Sequence, residues 1–239
     1  MLHASCPPGN TAFIAAEPPA YKRYNQAFLR QFAHVLGCGG NTPHLHFHPS
    51  PVAVPWLVNK SFSELQSEPF PEKTREVSVI CGQKRNIAGQ RRRLAFVVRH
   101  AVPLLRADHF GRGFQPVEDK WEALAPYRYS VAIENSVCPR YFTEKITDCF
   151  LAGTVPIYHG APDIAEYFPP EAFIRIDIGK GADALREVLP LIGPDDYARR
   201  LPALAEAKRR VLHEHNVFNL MARFAERHFD FHAARQTVN

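Results

Sequence analysis

"RYSVAIENSVCPRYFTEKITDCFLAGTVPIYHG", residues 128–160, decides the fold. It opens on "RYSVAIEN", an apolar run that reads as a strand, and closes on a second such run, "TVPIYHG". Between them lies "TEKITDCFLAG", where Ile146, Cys149 and Phe150 fall at i, i+3 and i+4, the spacing of an apolar helical face. Strand, helix and strand in that order make a parallel pair joined by a crossover. In sheets of this type ligands sit beyond the carboxyl ends of the strands. Glu134, Asn135, Tyr141, Thr143, Glu144 and Lys145 crowd into the link between strand and helix, on that ligand side. Thr143 is placed as an N-cap, and the free N–H groups of the following turn favour an anion by roughly 0.3–1 kcal/mol. A phosphate suits such a place. Lys145 opposes the helix dipole there, so a functional reason for it is attractive. Glu144 agrees with the dipole and has the acceptors a ribose diol needs.

The text around this block continues the alternation. "VSVICG", from residue 77, is a β-branched run of the kind covered on both faces. A basic helix-like segment follows, "GQRRRLAFVVRHAVPLL", then the glycine-flanked loop "HFGRGF". Beyond the central block come a helical turn "DIAEYF", a strand "AFIRIDI" and a helix "GADALREVLPLIG". The last segment, "DDYARRLPALAEAKRRVLHEHNVFNLMARFAERHF", predicts one or two amphipathic helices with a break at Pro202. Strands alternating with helices predict an α/β fold built on a doubly wound parallel sheet. Nearer the start, "AFIAA" predicts a short strand that ends at Glu17, before Pro18-Pro19. "YNQAFLRQFAHVLG" carries helical spacing at Phe28, Phe32 and Leu36 and stops at Gly37. Residues 38–75, rich in proline, histidine and serine, read as a connection to a second domain. Two units are expected, 1–75 and 76–239.

Composition narrows the function classes. With 46% hydrophobic residues the chain can bury a core, and no apolar run reaches the ~18–20 residues that cross a bilayer. "MLHASCPPGN" lacks the basic start and apolar middle of a signal peptide, so a cytoplasmic protein is expected. Five cysteines without a CxxC suggest neither a disulfide framework nor a zinc knuckle. The formal charge of +5 fits an anionic ligand or surface. No RRM, KH or helix-turn-helix signature supports nucleic acid. "RRR" at 91–93 reads as a solvated helix face, with a place near phosphates as the other reading. "KRRVLHEH" at 208–215 reads as the polar side of the terminal helix, with a membrane-surface role as its alternative. In "HLHFH", His44, His46 and His48 share one side of an extended segment, a spacing compatible with a metal. With no carboxylate set beside them they read as solvated, and no metal site is expected.

The composite of "DKWEALAPYRYSVAIENS" and "YFTEKITDCFLAGTVPIYHGAPDIAEYFPPEAFIRID", with "VSVICG", "FGRGF" and "YARRLPALAEAKRRVL" around it, resembles the donor domain of glycosyltransferase family 10, the α-1,3/1,4-fucosyltransferases. "FIAAEPPAYKRYNQAFLRQFAHVL" resembles the start of that family's acceptor side. The resemblance implies a GT-B architecture of two Rossmann-like domains across a cleft, here with a reduced N-terminal one. It implies GDP-fucose as donor, an acceptor glycan and inverting transfer; no DxD-like pair stands out as a metal site, so cations of the protein are expected to replace a metal and no cofactor is expected. It places Tyr141, Glu144 and Lys145 at donor-binding positions, Glu144 on the ribose and Lys145 on the pyrophosphate. Glu134 and Asn135 border the same pocket, Arg112 of "GRG" is the candidate second phosphate cation, and Glu17 is the candidate general base. The competing reading is a non-catalytic binder of GDP-sugars, or a scaffold. Peripheral membrane contact is compatible with either.

Overall fold

The computed structural model describes residues 6–39, 42–52 and 54–231; the first five residues of "MLHASCPPGN" and Ala53 of "VAVPWLV" lie outside them. A small parallel sheet comes first. β1 (Ala12–Ala15) leads through α1 (Gln26–Leu29) to β2 (His34–Gly37), and β3 (Phe47–Pro49) completes the order β1-β2-β3. Register pairs Phe13 with Val35 and Leu36 with His48.

The helix expected across residues 24–37 is therefore one turn followed by a strand. Phe28 and Phe32 do share a face, but they spend it on Phe13, whose ring lies 5.1 and 5.2 Å from theirs. From His34 the backbone pairs with β1 instead, and Thr11 Oγ1 accepts the Ala33 N–H at 2.9 Å just before the ladder begins. Helical segments this short hold only through tertiary packing.

α2 (Phe62–Ser67) follows, opened by a capping box: Ser61 Oγ accepts from the Glu64 N–H while Glu64 accepts from the Ser61 N–H. Val58 and Leu65 of this region are buried in the core of the larger sheet.

That sheet contains β4 (Arg75–Ile80), β5 (Asp108–Phe110), β6 (Tyr127–Ile133), β7 (Val155–His159) and β8 (Ile174–Arg175), all parallel, in the order β5-β4-β6-β7-β8. Renumbered from β4 this is the 2-1-3-4-5 order of doubly wound folds, whose switch point lies between β4 and β6. Between β4 and β5 run α3 (Ala88–Phe96), a π segment (Val97–Ala101) and α4 (Val102–Leu105). The π segment sits just before Pro103, whose ring nitrogen donates nothing to the ladder. α5 (Glu144–Leu151) crosses from β6 to β7 with Ile146, Cys149, Phe150 and Leu151 buried. Burial of each large apolar side chain contributes roughly 1.5–3 kcal/mol.

α6 (Asp183–Arg186) is a single turn, shorter than the helix expected in "GADALREVLPLIG". α7 (Pro194–His213) then runs straight through Pro202, contrary to the expected break. A proline in a helix interior costs ~3 kcal/mol, but Tyr197, Leu204, Ala207, Val211 and Leu212 of α7 are buried on the core and hold it. The break falls later, where Asn216 caps α8 (Val217–His228) by accepting the Asn219 N–H at 2.9 Å. α8 returns to the small sheet, and Asn10 and Asp230 exchange two hydrogen bonds of 2.8 Å. Among the described residues no helix is long and apolar enough to cross a membrane.

Candidate active site

A cavity of about 320 Å³ opens at the switch point between β4 and β6. Ile80 and Ile133 form its floor at the two strand ends, α3 contributes Gln90 and Arg93, α5 contributes Glu144, Lys145, Asp148 and Cys149, and Lys120 closes one side. Glu17 and Tyr21 line it from the small unit. The short strand β1 ends two residues before Glu17, so the topology delivers that carboxylate to the mouth of the larger sheet.

The start of α5 is fixed by a buried carboxylate. Glu134, whose side chain is fully buried, accepts from the Thr143 N–H at 2.8 Å and from Thr143 Oγ1 at 2.9 and 3.0 Å. Lys145 Nζ lies 3.3 Å from Glu134 and 3.3 Å from Glu144, and donates to Thr143 Oγ1 at 2.9 Å. This is why a cation survives in the first turn of α5: two carboxylates offset its repulsion from the helix dipole. Burial opposes its charge, but Glu134 and Glu144 outweigh that and hold the Lys145 ammonium above its ordinary pKa.

Glu144 is in turn held at about 2: burial pushes its carboxyl up, and the Lys145 and Lys120 ammoniums more than reverse it. Lys120 Nζ lies 3.5 Å from Glu144 and 3.1 Å from Asp148. Asp148 also accepts the Leu57 N–H at 3.1 Å, and burial pushes its carboxyl up to about 6 against the pull of Lys120. Glu17 is raised by partial burial and by Glu144, with Lys145 and Lys22 opposing. A carboxylate with a raised pKa opposite two cations has the make-up of a base facing an anion site.

Among the described residues two buried side-chain polar atoms lack a protein partner, Arg93 Nε and Asn135 Oδ1, and both residues line this cavity. Buried polar groups in native proteins are nearly always satisfied, so a pair of orphans in one cavity marks where a polar ligand belongs. Asn135 is held by close packing: a Cβ on Gly89 would drive into its backbone carbonyl.

Glu17, Asn135, Glu144 and Lys145 are thus brought together as expected. Glu134 lies directly behind them and acts on Lys145. Tyr141 is buried to one side, packed with Cys38 and Val52, and burial together with Glu134 raises its hydroxyl pKa. Arg112 is exposed beyond β5, the edge strand, with its backbone against Gly82, and is not part of the cavity lining. The cation that enters the cavity is Arg93: Arg91 and Arg92 are exposed while Arg93 turns inward. Helical spacing carries that signal, because Gln90, Arg93, Leu94 and Val97 form one stripe facing the sheet. Lys120 gave no such sign, since it stands on an isolated 3-10 turn.

The model of glycosyltransferase family 10 (fucosyltransferase), C-terminal part, matches residues 70–199. Alpha-(1,3)-fucosyltransferase FucT of Helicobacter pylori is 37% identical over 67 residues, 28% of this chain and 14% of that protein. GDP-fucose protein O-fucosyltransferase 3 of Danio rerio is 42% identical over 81 residues, 34% of this chain and 18% of that protein. The matched stretches are therefore a small part of either relative. A crystal structure of alpha1,3-fucosyltransferase with GDP superposes with a TM-score of 0.56 at 19% identity, covering 82% of this chain and 66% of that one. A further alpha1,3-fucosyltransferase structure gives 0.53 at 18% identity, covering 80% of this chain and 64% of that one. The fold is accordingly of the GT-B type.

Proposed function

The chain belongs to glycosyltransferase family 10, and from that premise we propose that it transfers L-fucose from GDP-fucose to a hydroxyl of an acceptor glycan, with inversion, in the α-1,3/1,4 manner. The observation that carries the reading is the pair of orphaned buried groups, Arg93 Nε and Asn135 Oδ1, in the switch-point cavity. The relatives named for fucosyl transfer and the GDP-bound neighbour support it.

In this reading the donor's diphosphate meets Lys145, Arg93 and the first-turn N–H groups of α5. Glu144, held ionised by Lys145 and Lys120, accepts from the ribose hydroxyls, and Asn135 takes a further donor contact. Tyr141 packs the wall of the site, and Glu134 holds Lys145 in place. Arg93 takes the role that the "GRG" loop suggested for Arg112.

Glu17, on the other side of the cleft, accepts the proton of the acceptor hydroxyl as its oxygen attacks the anomeric carbon. The sugar passes through an oxocarbenium-like state, and the bond to the β-phosphate oxygen breaks. The negative charge that grows on GDP is stabilised where it develops by Lys145 and Arg93. These cations supply what a divalent metal supplies elsewhere, so transfer is proposed to need none. The smaller unit, residues 1–75, presents the acceptor and residues 76–239 hold the donor. We place the work in the cytoplasm, with a peripheral membrane contact through α8, where Phe218 and Met221 are exposed.

The test is transfer of labelled fucose from GDP-fucose to a panel of glycan acceptors in the presence of a chelator. Product formation that needs GDP-fucose and persists in the chelator supports the reading. GDP binding without turnover on any acceptor supports a donor-binding module instead.

A further inference from the structure

A second cluster of chemically capable side chains lies at the opposite end of the small sheet from Glu17. His34 opens β2, His48 sits on β3, and His228 ends α8. Their ring nitrogens come within 4.8 Å of one another. His34 Nδ1 and His48 Nε2 are 3.1 Å apart.

Chain distance makes this convergence notable. His34 and His48 are joined by the parallel register of β2 and β3, in which Val35 faces Phe47 and Leu36 faces His48. His228 arrives from the far end of the sequence on α8. Its ring stacks on Phe224 one turn earlier, at 4.4 Å, and Phe224 meets His48 and His34 edge-on at 5.0 and 5.4 Å.

Neutral imidazole is the form that ligates metals. Ligand nitrogens sharing one tetrahedral zinc at about 2.0–2.1 Å stand about 3.4 Å apart. His34 and His48 are already near that separation, and the exposed ring of His228 completes the set by a small rotation.

We propose that His34, His48 and His228 form a three-imidazole site for a divalent transition-metal ion of the zinc class that ties α8 to the small sheet. An all-nitrogen set suits zinc, copper, nickel and cobalt and disfavours magnesium and calcium. A fourth position stays open to water. The site lies apart from the donor cavity and acts on the anchoring of α8, beside the Asn10–Asp230 contact. The "HLHFH" run contributes through His48, while His44 is committed elsewhere, with its Nε2 3.0 Å from the Phe32 carbonyl oxygen.

The test uses the whole purified chain, dialysed against a chelator and then titrated with zinc chloride by calorimetry and with cobalt chloride by visible absorption. His48→Ala, His228→Gln and His44→Ala are compared, with circular dichroism as the folding control. His228 is exposed at a helix end, so its variant reports on the site without unfolding the chain. The expected result is one equivalent of zinc, a tetrahedral cobalt spectrum, and a rise in melting temperature with zinc. Loss of a ligand should raise Kd by more than about 100-fold, the upper end of what outer-shell changes cost, in His48→Ala and His228→Gln. His44→Ala should bind as the parent does. No stoichiometric binding by the folded chain overturns the proposal. So does binding that survives both ligand variants, or that is lost in His44→Ala alone.

Discussion

Lys145 reaches back over the first turn of α5 to the carboxylate of Glu134, 3.3 Å away, and Glu134 is completely shielded from water. The pair joins the carboxyl end of β6 to the start of the next helix. Breaking a buried ion pair by removing one member costs about 3–5 kcal/mol, because the other is left without its partner. Glu134→Ala also strips the acceptor from the Thr143 N–H and hydroxyl. It is expected to lower unfolding free energy by about that amount, measured by urea titration, and to weaken GDP binding through a displaced Lys145. A variant as stable as the parent would show that the pair does not organise α5.

Gly89 lets α3 press on the backbone of Asn135 with no side chain between them. Gly89→Ala must lift the helix off β6, and overpacking of this kind costs ~1–3 kcal/mol. Because Arg93 rides on the same helix, affinity for GDP should fall along with melting temperature. Full affinity in a destabilised variant would separate Arg93 from the donor.

Asp148 offers a pH test. Burial lifts it from 3.8 to about 6, so between those values the folded chain binds more protons than the unfolded one. Its contribution to stability is complete below about pH 4 and is lost as pH rises through 6. In Asp148→Asn the Leu57 N–H keeps an acceptor and the titration is gone. The stability of the parent relative to this variant should therefore decline from pH 4 to pH 7. A flat difference would show that Asp148 titrates as an ordinary carboxylate.

Glu17 carries the proposed proton transfer and stands opposite the donor cations. Glu17→Gln should slow transfer by ~10²–10⁴-fold, the usual worth of a positioned base, while GDP binds as before. A parallel loss of GDP affinity would make Glu17 a donor ligand instead.

β4, β6 and β7 of the larger sheet could be read from sequence because their buried residues form continuous apolar runs, whereas β5 (Asp108–Phe110), a short edge strand, overlaps the segment that reads as the loop "HFGRGF". Glu17, Asn135, Glu144 and Lys145 were legible for a related reason: each lies at a strand end or helix start. Phe28 and Phe32 misled because a helical face and a local aromatic cluster share one spacing. α2 was signalled by Ser61 and Glu64, a capping box within a stretch that otherwise looks like loop. Pro202 could not show that the buried face of α7 would outweigh it. Arg112 follows the end of β5 at the edge of the sheet, whereas Arg93 lies within α3 beside the switch point, where the helical spacing of Gln90, Arg93, Leu94 and Val97 turns it inward. His34, His48 and His228 meet only through tertiary packing.

Calorimetric titration with GDP, with UDP and ADP as controls, compares the parent with Lys145→Ala, Arg93→Ala and Arg112→Ala. Hydrogen bonds to charged groups contribute about 1.5–3 kcal/mol. Arg93→Ala and Lys145→Ala should therefore each weaken GDP binding by about tenfold or more, with Arg112→Ala close to the parent. Absence of GDP binding by the folded chain, or a loss in Arg112→Ala that Arg93→Ala does not share, would contradict a donor site at the β4–β6 switch point.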